Sequence, residues 1–536
     1  MPNLKRLVEG GAVGDLESVC TPETPTAWSS FMTGLNPGKH GVFDFLVFDP
    51  KSGRERPVNS RIRAGKPFWD YLSEAGKTSL VLNVPTTYPP SPVNGAMVCG
   101  FLTPEGARDF TYPLDLADRL ESKHGKYPLY FHTMCYLAIG SGRHAESLLN
   151  ELFAMTETKF DVADELFDEH DPDFTMLHIW GTDRLQHELW YIFDQEHPQY
   201  SPRMAKRFGQ RIDDYYHLVD ERLGRLTAKL GDDGVAFVIS DHGFGPTHYL
   251  IDQNSWLLRE GFIKLKPGFR VRAKKALWNL GFTPYNIMRL CNPLLKLTAY
   301  LKATPPEALL SKVTGTISIP GMLGFKDVDW EKTVAYAPFG WSGIFINTKG
   351  IRPNGCVEPE DYGKVQQAVL DRWAELRNPM NGELVGGPIP TNAEMFSGPY
   401  APYGPDLLPL PLGSKYMPVC FFGFASGEPV YPNHTVPGNH RMEGILAAHG
   451  TAIKPGEIAG ARLLDMAPTI LHLLGEPVHS CFDGKVLTGL LTEAELGRGD
   501  VRVAEDDDET PQAAGEDLSE EEQAEIRKRL SELGYL

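Results

Sequence analysis

The chain has 536 residues, which is the length of about three average domains or of one large enzyme domain with insertions. Hydrophobic residues make up 42% and charged residues 23%, as in an ordinary globular protein. This composition excludes a wholly disordered chain, a collagen-like repeat and a disulfide-dense scaffold. The net charge of −18 argues against a general nucleic-acid-binding protein, which needs a basic surface.

The sequence does not predict a membrane-spanning or secreted protein. No run approaches the ~18–20 apolar residues that a bilayer span needs. The opening stretch MPNLKRLVEGG lacks the apolar segment of a secretory signal. The cysteines show no CxxC spacing, so we expect reduced thiols and a cytoplasmic protein. They are Cys20, Cys99, Cys135, Cys291, Cys356, Cys420 and Cys481.

Short apolar runs alternate with longer amphipathic stretches, a pattern typical of βαβ units. Strands are predicted at residues 78–83, 97–101, 174–180 and 234–240. Their near-continuous hydrophobicity predicts strands that are covered on both faces. Helices are predicted at residues 67–75, 145–167, 202–230, 359–377 and 464–474. The pattern therefore predicts an α/β fold with a mostly parallel, doubly wound central sheet.

Charge divides the chain into a main domain, 1–496, and two C-terminal segments. Within the main domain, residues 261–306 contain nine bases and no acid, which predicts a basic, partly helical insertion. We interpret it as a lid or a docking surface for an anionic ligand or an anionic membrane, with a solvated cover on the acidic body as the alternative. Residues 497–518 predict an acidic flexible linker, and 519–536 predict a helix with a capping-box-like start.

The first candidate for chemistry is Thr24, which Pro25 follows. Threonine before proline predicts a helix N-cap with proline at the first helical position. A hydroxyl there faces the free N–H groups of the helix start, which bind anions. Thr24 is therefore either a helix cap or a nucleophile that faces a phosphate.

Carboxylates and imidazoles follow two of the predicted strands, where an open α/β sheet places its active site. Asp183 and His187 are spaced i, i+4, so they lie on one helix face and can reach one metal ion. A solvated helix start is the alternative for this pair. Asp241 and His242 stand at the abrupt end of a buried strand, where they need a partner or a metal ion.

His440 is a fifth candidate ligand, in a predicted loop before an apolar run. The neighbouring His434 and His449 are alternatives that fit surface or packing roles better. Two Asp/His pairs, one further histidine and a cap hydroxyl together indicate a two-metal site for phosphoryl transfer. Metal ions would lower the pKa of the hydroxyl and neutralise the phosphoryl oxygens.

The wording and order of these motifs resemble the alkaline phosphatase superfamily. The similarity is greatest to the branch of predicted phosphohydrolases and phosphomutases related to type I phosphodiesterases and nucleotide pyrophosphatases. The resemblance rests on TPTAWSSFMTGLNPGKHGVFDF (24–45), NVPTTYPP (83–90), TDRLQHELW (182–190), SDHGFGP (240–246), DWEKTVAYA (329–337), GNHRMEGIL (438–446) and DMAPTILHLLGEPV (465–478). It implies an α/β/α sandwich.

The resemblance also assigns a role to each candidate residue. Thr24 corresponds to the nucleophile that is transiently phosphorylated. The other five correspond to ligands of two divalent ions, zinc or manganese. Asp241 and His242 match the ligands of the ion that holds the nucleophile, and Asp183, His187 and His440 match those of the ion that activates water.

Two departures from the family pattern qualify this assignment. Family members begin with a strand that ends in a metal-ligating Asp, whereas this sequence starts at MPNL, so we expect that strand to be missing and the activity to be weak. Phe45 stands where nucleotide pyrophosphatases carry a phosphoryl-binding Asn. The resemblance implies a phosphodiesterase or phosphomonoesterase that acts on a small phosphorylated substrate. A phosphomutase and a catalytically silent binding protein of the same fold are the alternatives.

Overall fold

A computed structural model describes most of the chain. The described residues are 1–49, 54–133, 141–287, 289–290, 321–338, 343–420, 423–505 and 517–533. Of the predicted basic insertion, the part beyond residue 290, with Lys296 and Lys302, lies outside these ranges. Of the predicted acidic linker, residues 506–516 lie outside them.

The described residues form helices and short strands in alternation. The α-helices are α1 (Pro2–Gly10), α2 (Thr24–Thr33), α3 (Pro37–His40), α4 (Phe68–Glu74), α5 (Leu116–His124), α6 (Gly142–His170), α7 (Gly181–Phe193), α8 (Pro202–Thr227), α9 (Gln253–Arg259), α10 (Phe269–Asn279), α11 (Tyr362–Ala374), α12 (Asn392–Met395), α13 (Met466–Leu473), α14 (Glu493–Leu496) and α15 (Glu520–Leu533). Short 3₁₀ helices lie at Phe325–Asp327, Pro359–Asp361, Ala401–Tyr403, Leu463–Asp465 and Thr488–Leu490.

The strands are mostly four residues long or shorter. They are β1 (Ala12–Glu17), β2 (Leu46–Asp49), β3 (Arg54–Pro57), β4 (Ser79–Leu82), β5 (Gly95–Val98), β6 (Thr111–Tyr112), β7 (Phe174–Leu177), β8 (Ala236–Ile239), β9 (Gly243–Pro246), β10 (Tyr249–Asp252), β11 (Ala335–Tyr336), β12 (Phe345–Ile346), β13 (Tyr416–Val419), β14 (Val430–Pro432), β15 (Gly438–Arg441), β16 (Glu443–His449), β17 (Gly456–Glu457), β18 (Ala461–Arg462), β19 (Val478–His479) and β20 (Val503–Ala504).

The two long helices of the fold begin at serine caps. At the start of α6, the hydroxyl of Ser141 accepts a hydrogen bond from the backbone N–H of His144, and at the start of α8 Ser201 accepts one from Met204. Proline at the first position of α8 fits because the N–H that it lacks has no partner within the helix. Both helices were predicted from their periodicity, within a few residues of their observed ends.

Two larger sheets form the centre of the molecule. One contains β6, β5, β4 and β7 in that order, with β4 parallel to both β5 and β7. The other has the order β17–β1–β16–β8 with β18 also on β1, and here β16 runs antiparallel to β1 and to β8. The pairing within the described ranges therefore includes both parallel and antiparallel neighbours.

The prediction of one doubly wound, mostly parallel sheet is not confirmed by this arrangement. Among the described strands, β7 ends one sheet and β8 ends the other, and none pairs with both of them. Every residue of β7 and β8 is half-buried, whereas β4 is buried throughout. Phe174 and Met176 of β7 nevertheless pack against one core and Leu177 against another, so this strand is partly covered on both faces. The mixed α/β character of the fold is confirmed.

Helices lie on both sides of the four-stranded sheet. Leu80 and Leu82 of β4 face a core that includes residues of α5, α6, α7, α8 and α15. The intervening Val81 faces a second core with residues of α2, α4 and α13. This alternation follows from the period of two along a strand. Polar side chains lie at the ends of β7 and β8 and in the segments that follow these two strands.

A third core lies in the segment between β9 and β15. It is built around Trp256, Trp278 and Trp373, which are almost fully buried, and includes residues of β10, α9, α10 and α11. Residues 503–504 of the predicted linker form β20, which pairs with β19. None of the helices in the described ranges is long and apolar enough to cross a membrane.

Candidate functional site

The first half of the site lies on α7, directly after β7. Asp183 and His187 are one turn apart, and the Nε2 atom of His187 lies 3.4 Å from Oδ1 of Asp183. The ring of His187 packs edge-on against Phe244, with 4.7 Å between the ring centroids. The i, i+4 spacing in the sequence therefore does bring this carboxylate and imidazole together.

The second half lies after β8, where the chain turns into β9. The Nε2 atom of His242 lies 3.4 Å from Oδ2 of Asp241 and 4.0 Å from Oδ1 of Asp183. Residue 243, which follows His242, is glycine because the backbone passes close to that of Glu443. A Cβ at residue 243 would lie 1.9 Å from the carbonyl oxygen of Glu443. Asp241 and His242 thus reach the same place as the pair on α7.

His440 joins the site from a strand and not from the predicted loop. It belongs to β15, which pairs antiparallel with β9 and places His440 opposite Phe244. Its Nε2 atom lies 2.9 Å from Nε2 of His187 and 3.5 Å from Oδ1 of Asp183. Its ring stacks on that of His242, with 3.6 Å between the centroids. The loop prediction failed because the partner of this short strand is about 200 residues away in the sequence.

Backbone carbonyls fix the tautomers of the three histidines. The Nδ1 atom of His187 lies 3.0 Å from the oxygen of Gly438, that of His440 lies 2.9 Å from the oxygen of Pro22, and that of His242 lies 3.1 Å from the oxygen of Gly243. A carbonyl oxygen only accepts, so each Nδ1 carries the proton and donates it. In its neutral form, a ring held in this way presents an unprotonated Nε2 to the cluster. Histidines that bind metal ions are commonly oriented in this way, by a hydrogen bond from the other ring nitrogen.

Two of these Nε2 atoms, those of His187 and His440, face each other at 2.9 Å. Lone pairs at this separation repel each other unless a proton or a cation lies between them. Burial lowers the pKa of His242 to about 4 and also lowers the pKa of His440, so both rings are neutral at pH 7. Neutral imidazoles are the form that binds metal ions.

The carboxylate of Asp183 completes the group. Both of its oxygens, and Nε2 of His242, are buried and have no hydrogen-bond partner among the described residues. Burial alone would raise the pKa of Asp183, but His187 and His440 hold it well below its ordinary value, so the carboxylate is ionised. Asp183, His242 and His440 each offer a ligand atom, and these atoms lie within 4.8 Å of one another. Nitrogen and oxygen donors in this set fit zinc or manganese.

The site combines residues that the sequence assigned to two separate metal ions. Asp183 and His440 were assigned to one ion, and His242 to the other. In the described group, all three converge on one place. The carboxyl of Asp241 lies beside His242, and burial raises its pKa. The division into two metal sites remains a prediction.

Thr24 lies at the start of α2, next to this group. The N-cap of α2 is Glu23 and not Thr24, because Glu23 is extended and its carbonyl oxygen already accepts from the N–H of Ala27. Thr24 is therefore the first helical residue, and it is buried. No side-chain hydrogen bond caps the helix. The preceding Pro22 and Glu23 both contact Nδ1 of His440, at 2.9 and 3.5 Å.

A buried charged network lies behind α7, and the sequence did not predict it. Glu188 is fully buried between Arg184 and His144, and its Oε2 lies 2.5 Å from Nε2 of His144. Burial alone would raise the pKa of Glu188, but Arg184 and His144 lower it. The network ties α7 to α6 and so orients the helix that carries Asp183 and His187. The signal was the charged run within DRLQHE, which by itself looks like a solvated helix surface.

Three other residues were named from the sequence: His434, His449 and Phe45. His434 is exposed and its ring stacks at 6.2 Å from that of Tyr285. His449 ends β16, paired with Ala236. Phe45 is buried, and its ring packs at 5.9 Å from that of Phe101. The two alternative histidines are therefore not members of the described metal-binding group.

Comparisons with known proteins show which family the chain belongs to. The family model for type I phosphodiesterase/nucleotide pyrophosphatase matches residues 1–384. The chain therefore belongs to the type I phosphodiesterase/nucleotide pyrophosphatase family, a family of phosphoester hydrolases within the alkaline phosphatase superfamily. A search of curated proteins found no match.

Two solved structures are among those that the chain resembles. Phosphonoacetate hydrolase from Sinorhizobium meliloti 1021, solved with phosphonoformate, has 15% sequence identity and a TM-score of 0.50, and the match covers 89% of each chain. Human ectonucleotide pyrophosphatase/phosphodiesterase 5 has 13% identity and a TM-score of 0.42, and the match covers 92% of this chain and 94% of that one. The resemblance to the first supports the α/β fold.

Proposed function

We propose that the protein is a divalent-metal-dependent phosphoric ester hydrolase that acts through a phosphorylated Thr24. The observation that carries the proposal is the convergence of three histidine Nε2 atoms on the carboxylate of Asp183, whose buried oxygens have no hydrogen-bond partner among the described residues. A buried set of this kind is costly unless a cation shares it. Family membership supports ester hydrolysis as the reaction.

The proposed ligands are the five residues of the cluster, and two divalent ions, zinc or manganese, would be held there. When bound, the ions would lower the pKa of the Thr24 hydroxyl and neutralise charge on the phosphoryl oxygens. The residues that would hold them are Asp183, His187, Asp241, His242 and His440.

The start of α2 supplies the other half of the proposed chemistry. Its first-turn N–H groups have no side-chain cap, so they are available to a phosphoryl oxygen, which the helix dipole also favours. The oxygen of Thr24 would attack phosphorus while the bond to the leaving alcohol breaks, and the alcohol would take up the proton that the hydroxyl gives up. Water would then attack the same phosphorus and return a proton to the oxygen of Thr24, releasing phosphate from a monoester or a phosphate monoester from a diester. The substrate class is a small phosphate monoester or diester.

The test is the metal dependence of ester turnover. The protein is treated with a chelator, dialysed, and supplied with zinc or manganese, and hydrolysis of p-nitrophenyl phosphate and bis(p-nitrophenyl) phosphate is followed. We expect turnover to be lost with the metal and restored by its return, and the preferred ester distinguishes a monoesterase from a diesterase. Tight metal binding without turnover of either ester would favour the silent binding protein or the phosphomutase. Turnover that persists without metal would contradict the proposal.

A further inference from the structure

The first half of the predicted basic insertion presents an apolar helix face to solvent. Helix α10 is anchored by Trp278, which is 1% exposed and donates from its indole nitrogen to the carbonyl oxygen of Phe424 at 3.3 Å. Phe269 at its start and Leu280 just after its end are each 83% exposed, and Leu277 is 44% exposed. At 100° per residue, Phe269 lies opposite Trp278 around the helix, Leu280 continues that side just past the helix end, and Leu277 lies at its edge.

Basic residues flank this face. Arg270 and Arg272 are exposed on its two sides, and Lys264 is exposed before the helix. Lys274, nearer the body, is held by Asp327 at 2.9 Å. Residues 261–290 contain no acidic residue, although the chain as a whole has a net charge of −18. The face therefore combines exposed large apolar side chains with a local excess of positive charge.

We propose that the outer face of α10 docks onto an anionic lipid surface. The apolar side chains would enter the boundary between headgroups and acyl chains, and the guanidinium groups of Arg270 and Arg272 would bind lipid phosphates. Charge complementarity favours this occupant over a second copy of the chain, because a symmetric contact would bring the arginines of both copies together. The proposal is independent of the proposed hydrolase activity.

The experiment is cosedimentation of the full-length protein with vesicles of pure phosphatidylcholine and of phosphatidylcholine with 30% phosphatidylserine. We expect binding to the anionic vesicles only, weakened by added salt. Arg270→Ala/Arg272→Ala should weaken it by about tenfold or more, since each base near such a surface contributes about a fivefold factor. Phe269→Ser/Leu280→Ser should weaken it at all salt concentrations.

Matched variants control for composition. Leu114→Ser and Met380→Ser remove exposed apolar side chains elsewhere, and Arg203→Ala/Lys206→Ala removes exposed bases on α8. We expect all of these to bind like the parent. Failure of the parent to bind anionic vesicles at low salt, or equal binding by the α10 variants, would overturn the proposal. So would a concentration-dependent dimer that Phe269→Ser/Leu280→Ser dissociates, since that result makes the face a contact between copies.

Discussion

Removing the hydroxyl of Thr24 should abolish the reaction without disturbing the fold. Thr24 is the first residue of the buried helix α2, and its side chain does not cap that helix. We expect Thr24→Ala to keep the fold and the bound metal but to lower turnover by about 10³-fold or more, because a covalent nucleophile is lost. Thr24→Ser should keep part of the activity.

The control for this variant is Thr33→Ala at the other end of the same helix, where the hydroxyl donates to the carbonyl oxygen of Ser29. Aryl ester turnover and metal content are measured for each. Parental turnover in Thr24→Ala would show that another group is the nucleophile.

The assignment of His440 as a metal ligand can be tested against two other histidines that lie close to it in the sequence. His440 has its Nε2 atom in the cluster, whereas His434 stacks on Tyr285 and His449 ends β16. We expect His440→Ala to lose bound zinc and activity, because its affinity for zinc should fall by about 10–100-fold or more. His434→Ala and His449→Ala should retain both. Elemental analysis after dialysis gives the metal content, and equal losses in all three would reject His440 as a ligand.

Local spacing predicted the residues of the site better than it predicted their surroundings. The i, i+4 pair on α7 follows from helix geometry, so Asp183 and His187 could be placed together from the sequence. The tautomers could not be, since they depend on carbonyls of Pro22 and Gly438, which lie far away in the chain. The buried role of Glu188 depends on His144 of another helix.

The α2–α3 junction contains a histidine that should make stability depend on pH. In α3, Nδ1 of His40 accepts from the N–H of Val42 at 3.1 Å, so the ring donates from Nε2 to the hydroxyl of Ser30 at 2.8 Å. Burial, assisted by Arg63, lowers the pKa of His40 from 6.5 to about 3. The unfolded chain therefore binds a proton below pH 6.5 that the folded chain does not bind.

Stability should consequently fall as the pH falls from 6.5 towards 3. From His40 alone, the loss at pH 5 is about 2 kcal/mol, or 1.4 kcal/mol for each pH unit below 6.5. Urea unfolding at pH 7.5 and pH 5 measures it, with His40→Gln as the comparison. The parent should lose more stability than the variant between the two pH values. Equal losses would mean that His40 is protonated in the fold.

Helix α15 should stabilise the whole molecule through its apolar face. Ile526, Leu530 and Leu533 are almost fully buried in the core that also contains α6 and α8. We expect Leu530→Ala to lower the free energy of unfolding by about 2–5 kcal/mol, because the cavity adds to the lost burial. Leu496→Ala, at a residue that is 42% exposed, should change it by about 0.5 kcal/mol or less. Similar values for both would show that α15 is not part of the core.

Elements were easier to predict than their pairing. The periodicity of α6 and α8 and the apolar runs of β4 and β5 follow from side chains within each element. The short strand β15 has no such signal, since its pairing with β9 joins residues about 200 positions apart. The Glu23 cap of α2 was also missed, because the threonine-proline pair fits a cap one residue later.

For the whole molecule, the two central sheets explain where the site forms. Helix α7 follows β7 and strand β9 follows β8, and the two connections bring polar residues to one place. The sequence predicted a single parallel sheet because β4, β5, β7 and β8 all have apolar runs. Apolar content alone could not predict that β16 would run antiparallel between β1 and β8.

The cluster of histidines and Asp183 should bind a metal ion, and X-ray absorption at the zinc edge of the zinc-loaded, full-length protein measures this. We expect a first shell with at least two imidazole nitrogens at about 2.0–2.1 Å and carboxylate oxygen at about 2.0–2.2 Å. The imidazole signal should decrease in His440→Ala and stay unchanged in His434→Ala. A first shell without imidazole, or no zinc retained after dialysis, would mean that the cluster is not a metal site.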